Sequence, residues 1–110
     1  MQKDYKHLKN EILEACSKIE LYTKDATLET FIQDGKTYDA TLMQLILIGE
    51  IMSRFPETIR EKYPHIRWTS IIGMRNIIAH DYFNTDEERV WLTIKDALPI
   101  LKTQISDIDL

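Results

Sequence analysis

The stretch TYDATLMQLILIGEIMSRF, residues 37–55, contains no proline, and its apolar side chains recur at Leu42, Leu45, Ile46, Gly49 and Met52, with Ile48 and Ile51 beside them. Steps of three and four are the spacing of one face of an α-helix, and so broad a face belongs to a helix covered on more than one side. It is expected to be the most buried helix of the chain.

On its N-terminal side, Tyr5, Leu8, Ile12, Ala15, Ile19 and Tyr22 follow the same spacing without a slip, which predicts an amphipathic helix over residues 3–24. The run Thr27-Leu-Glu-Thr-Phe-Ile follows as a helix of one or two turns, capped by Thr27 with Thr30 as its third-turn partner, and Gln33-Asp34-Gly35-Lys36 breaks it. On the C-terminal side, Pro56 suits the first turn of a short helix over residues 56–63, which Pro64 ends. Residues 68–81 read as the next helix, with Trp68, Ile71, Ile72, Ile78 and Ala79 inward. After a turn at Phe83-Asn84, Thr85 and Glu88 have the spacing of a capping box. The last helix carries Trp91, Ile94, Leu98, Leu101, Ile105 and Ile108, and Pro99 is expected to bend it. Nothing alternates at period two for long enough to make a strand. The expectation is an all-α antiparallel bundle of four main helices plus one or two short ones. The two regular stripes near the chain ends serve either the bundle's own core alone or, in part, a second copy.

At 110 residues the chain has room for a single domain, 1–110, and its 44% hydrophobic and 29% charged residues exclude disorder and low complexity. One cysteine, Cys16, leaves no intramolecular disulfide and no Cys-rich zinc site. The longest apolar run, Leu45-Ile46-Leu47-Ile48, is far short of the ~20 residues of a membrane helix, so no membrane association and a cytoplasmic location are expected. Asp4 and His7 share a helix face, but a metal site in a bundle needs matching carboxylates on other helices. Together with Lys3, Lys6, Lys9 and Glu11 they read as an ordinary mixed surface.

The net charge of −4 argues against a general nucleic-acid coat. Its distribution is uneven, however. Residues 1–53 hold six basic and nine acidic side chains and residues 81–110 three and seven, whereas residues 54–80 hold Arg54, Arg60, Lys62, Arg67 and Arg75 against Glu57 and Glu61, with His65 and His80 in addition.

This basic block ends in Arg75-Asn76-Ile77-Ile78-Ala79-His80-Asp81-Tyr82. On an ideal helix Arg75 and Tyr82 share a stripe, while His80 lies ~140° round from Arg75. The three converge only where the helix is ending, or where another chain completes the site. The apolar spacers Ile77, Ile78 and Ala79 are expected to pack against a core edge. Chemically, a histidine near neutrality can take or give a proton, and a guanidinium can fork onto the charge that builds on a pentacovalent phosphorus. If the nucleophile is the neighbouring 2′-hydroxyl of RNA, no metal is required, because the attacking group is already tethered. The alternative is a purely structural pair: a histidine at a helix end and an arginine bridged to Glu50 or Asp81.

The sequence resembles a known family, the HepT group of HEPN-domain proteins. The resemblance is carried by Ile12-Leu13-Glu14 with Ile19-Glu20-Leu21-Tyr22-Thr23, by Ile46-Leu47-Ile48-Gly49-Glu50, by Arg60-Glu61-Lys62-Tyr63-Pro64 then Trp68, by Ile71-Ile72-Gly73-Met74-Arg75-Asn76, and by His80-Asp81-Tyr82-Phe83 and Val90-Trp91. It implies a single HEPN-type helical bundle, usually a homodimer whose two motif helices line a shared cleft. It further implies the toxin of a toxin–antitoxin system, a metal-independent endoribonuclease that uses no cofactor and cuts cellular RNA. Arg75 and His80 match the family's catalytic arginine and histidine, and Asn76 the polar residue after that arginine. Tyr82 matches the tyrosine to which a minimal nucleotidyltransferase antitoxin transfers AMP. Glu50 either reaches the cleft from the central helix or satisfies a partner at its rim. Asn84 stands where the family more often has glycine. A different reading of the same resemblance is a non-catalytic HEPN helper that binds the nucleotidyltransferase or presents nucleotide to it.

Overall fold

A computed structural model describes residues 5–110. Lys3 and Asp4, assigned above to the first helix and its mixed surface, lie outside the described residues. The helices are α1 (Lys6–Tyr22), α2 (Leu28–Gln33), α3 (Gly35–Ser53), α4 (Glu57–Lys62), α5 (Trp68–His80), α6 (Glu87–Leu92) and α7 (Leu98–Ser106). A 3₁₀ turn, Tyr82–Asn84, follows α5, and a π turn, Thr93–Ala97, joins α6 to α7 into one long rod. No strand occurs among the described residues, so the fold is the all-α bundle that the spacing predicts.

The central helix α3 packs on α1 along one side and on α5 along another, and α7 closes on α1. Its buried set of Tyr38, Thr41, Leu42, Leu45, Ile48, Gly49, Ile51 and Met52 is the longest of any helix, as the breadth of its apolar face requires. The stripes of α1 (Leu8, Ile12, Ala15, Ile19) and of the last rod (Ile94, Leu98, Leu101, Ile105, Ile108) are buried within the chain itself. The bundle core accounts for these residues, whereas Tyr5 and Trp91 of the predicted stripes are half-buried and Tyr22 is exposed.

Local chemistry explains the helix ends. The Thr27 side chain accepts from the Thr30 N–H while Thr30 Oγ1 accepts from the Thr27 N–H, a reciprocal cap for α2. The predicted four-residue break after α2 shrinks to one residue: Asp34 ends α2 and, by accepting from the Thr37 N–H, starts α3. The predicted Thr85–Glu88 capping box does not form. The helix starts one residue later instead: Asp86 is the cap of α6, accepting from the Arg89 N–H, while Thr85 Oγ1 donates back to the Asp81 carbonyl. The π turn immediately precedes Pro99. Proline lacks an N–H and its ring crowds the carbonyl four residues back, so the turn widens there.

Part of the basic block is structural. Arg60 donates to the carbonyls of Phe55 and Ser53 and lies over the Trp68 ring, so its guanidinium closes the C-terminal end of α3. The inward set predicted for α5 is also too large. Trp68 and Ile78 are buried and Ile71 and Ile72 are half-buried, but Ala79 is exposed; Ile77, expected only at a core edge, is 63% exposed. Of the three apolar spacers in the motif, only Ile78 packs against the core of this chain.

Candidate active site

Helices α3 and α5 run antiparallel, since Gly49 and Glu50 face Arg75 while Asp39 meets Tyr82. Gly49 sets their separation. A Cβ added there would collide with the Cβ of Arg75 and stand 3.2 Å from the Ile71 carbonyl oxygen, so only glycine lets the two backbones come this close.

From that contact the Arg75 side chain rises into the groove. Its Nη2 is 2.9 Å from Glu50 Oε2, and its Nη1 donates to Asn76 Oδ1 at 2.9 Å. Nε is buried without a hydrogen-bond partner. The Arg75 side chain remains 30% exposed and that of Glu50 43%, so the pair sits at the rim of the groove, within reach of an incoming anion. Of the two bridging partners open to Arg75 from the sequence, Glu50 is the one used. Asp81 instead accepts from the Asn84 side-chain amide at 2.9 Å and braces the turn.

His80 is the last residue of α5, exposed, and followed by Asp81 as the helix cap. It stands ~7.5 Å along the axis and ~140° round from Arg75. Arg75 therefore faces α3, whereas His80 shares the opposite, open face of α5 with Asn76, Ile77 and Gly73, around whose Cβ position nothing lies within 4 Å. A single chain brings Arg75, Asn76 and Glu50 into contact and leaves His80 apart from them.

Tyr82 opens the 3₁₀ turn, and its hydroxyl donates to Oδ1 of Asp39 on α3. That hydrogen bond holds the phenol pKa above its ordinary value, with burial and the negative charges of Asp39 and Glu87 adding to it. Next to it on α3, burial and the Glu87 charge push the Tyr38 phenol up to about 12, so it stays neutral. Phe83 is 94% exposed and stands edge-on to the Tyr82 ring. Sequence reasoning missed Asp39. The signal available was its place 11 residues before Glu50, which puts both carboxylates within ~20° on one stripe of α3. Among the described residues, no group of three or more His, Cys, Asp or Glu could hold a metal ion.

Arg75 lies at the α3–α5 crossing, with His80 at the C-terminal end of α5 and Tyr82 in the turn beyond it, and these groups in an all-α bundle fit the ribonuclease class. Residues 12–108 match the family described as ribonuclease HepT-like, and the chain belongs to that family. Among curated proteins it is 39% identical over 108 residues to a "gamma-glutamylcyclotransferase and putative RNase" of Methanocaldococcus jannaschii, covering 98% of this chain and 49% of that protein. The chain thus spans about half the length of that relative. It is 36% identical to a "putative RNase" of the same organism, over 97% of this chain and 92% of the other. It is 33% identical to a "probable ribonuclease HepT" of Thermococcus cleftensis, over 93% of each chain. No solved structure matches it significantly. No helix among the described residues is long and apolar enough to cross a membrane.

Proposed function

We propose that this chain is the toxin of a toxin–antitoxin pair: a metal-independent cytoplasmic endoribonuclease, active as a homodimer on cellular RNA and silenced when a minimal nucleotidyltransferase antitoxin transfers AMP from ATP to Tyr82. The observation that carries the reading is the half-built site, with Arg75 held in the α3–α5 groove and His80 on the uncovered face of α5.

A second copy laid on that face covers Ile77 and the exposed Met43 and Leu47, and brings a second Arg75 and His80 to the same cleft. One imidazole then takes the proton of the 2′-hydroxyl as its oxygen attacks the adjacent phosphorus. The other gives a proton to the departing 5′-oxygen, leaving a 2′,3′-cyclic phosphate. Arg75 stabilises the charge that builds on the phosphoryl oxygens. Glu50 and Asn76 support it by holding the guanidinium from two sides. AMP on Tyr82 places a bulky anion beside the RNA path, so sterics and repulsion both close the cleft.

The test is cleavage of total RNA in the presence of EDTA. His80→Ala and Arg75→Ala are each expected to slow cutting by roughly 10²-fold or more. Cleavage that survives both substitutions overturns the reading. AMP incorporation without any RNA cleavage favours the non-catalytic helper instead.

A further inference from the structure

RNA cleavage leaves one contact of the groove without a role. Asp39 reaches from α3 to the turn after α5 and accepts the proton of the Tyr82 hydroxyl. Asp39 is exposed and Tyr82 is 43% exposed, so the phosphates of a nucleotide have access to the phenol oxygen while its proton already points at a carboxylate. Among the described residues, Asp39 is the only group hydrogen-bonded to that phenol. Its neighbours do not compete for the proton. Tyr38 on α3 is buried and neutral, Asp86 accepts from the Arg89 N–H as the cap of α6, and Glu87 acts on Tyr82 through its charge alone.

We propose that Asp39 orients Tyr82 and takes its proton during nucleotidyl transfer, which rests on Tyr82 being the modified residue. In that step the phenol oxygen bonds to the α-phosphorus of ATP and the bond from that phosphorus to the β-phosphate oxygen breaks. Pyrophosphate leaves, and the proton passes to the Asp39 carboxylate and then to water. A phenol whose neutral form is favoured is not ionised in advance, so its proton departs as the new bond forms. That requires a base within hydrogen-bond reach. Protein kinases place an aspartate against a substrate hydroxyl for the same purpose. Once modified, the tyrosine oxygen has no proton to donate. The tie to α3 is lost, and the new phosphate and Asp39 repel each other.

The experiment incubates the full chain with ATP and a minimal nucleotidyltransferase of the antitoxin type from the same genome. The rate of AMP addition at Tyr82 is followed by tandem mass spectrometry, and circular dichroism checks the fold of each variant. Asp39→Asn is expected to slow transfer by roughly 10²-fold, and Asp39→Glu to recover part of the rate. In the absence of nucleotide, Asp39→Asn also lowers the Tyr82 pKa in a ¹³C-tyrosine NMR titration, whereas Asp39→Glu keeps it raised. Transfer to Asp39→Asn at the wild-type rate overturns the role of Asp39 and leaves Tyr82 modification standing. No AMP on the wild-type chain overturns both.

Discussion

Helices α1 and α5 both carry apolar residues at helical spacing, yet they meet the rest of the molecule differently. In α1 the apolar groups form one narrow stripe, and Leu8, Ile12, Ala15, Cys16 and Ile19 are all buried between α3 and α7. In α5 they run most of the way round, but only Trp68 and Ile78 are buried, and Ile77 stands in the open. A helix that is apolar on all sides is one meant to be covered on all sides. Helix α1 therefore finishes the fold, whereas α5 leaves part of its apolar surface uncovered by this chain.

The largest expected effect that could break this contrast is on stability. Ile12→Ala should cost about 2–5 kcal/mol and lower the melting midpoint by roughly 10 °C or more. Ile77→Ala should change the stability of the isolated chain by less than about 0.5 kcal/mol. Equal losses in thermal denaturation would erase the distinction. Gly49→Ala comes next, at about 1–3 kcal/mol, since its Cβ meets the stem of Arg75 close to the opposing backbone. Gly73→Ala, with open space around it, should have the opposite sign and gain about 0.5–1 kcal/mol in the isolated chain, as alanine does in a helix interior. Ile77→Asp should leave helicity intact and shift sedimentation toward the monomer; an unchanged assembly would mean that α5 is not the contact. The smallest effect is at Cys16. Burial pushes its thiol up to about 12, so iodoacetamide should leave it unmodified in the native chain and label it only after unfolding.

The long helices are legible in the sequence because each buries a stripe, and a stripe repeats on a fixed period whatever it packs against. What escapes such reading depends on contacts between distant segments. Arg60 counts as a positive charge in the sequence and as a helix terminator in the fold, because three backbone carbonyls converge on it. Thr85 looks like a cap, but in the fold its hydroxyl donates back to the turn at Asp81 and Asp86 caps α6. The site divides in the same way. Arg75, Asn76, His80 and Tyr82 are visible as a spaced motif and Glu50 as a plausible partner. Asp39 is not visible, since nothing local marks one surface aspartate among many until α5 is laid beside α3. Ile77 and Ala79 fail as predicted core residues because periodicity reports which face is apolar, not whether the same chain covers it.

The glycine at the α3–α5 crossing also fixes where a charge sits. The Arg75 stem is seated against the bare backbone at Gly49, so little room is left around its root. The spacing of two helix axes is thereby converted into the position of a positive charge. A side chain added on the α3 side of that contact would push the Arg75 stem, and with it the guanidinium, away from Glu50.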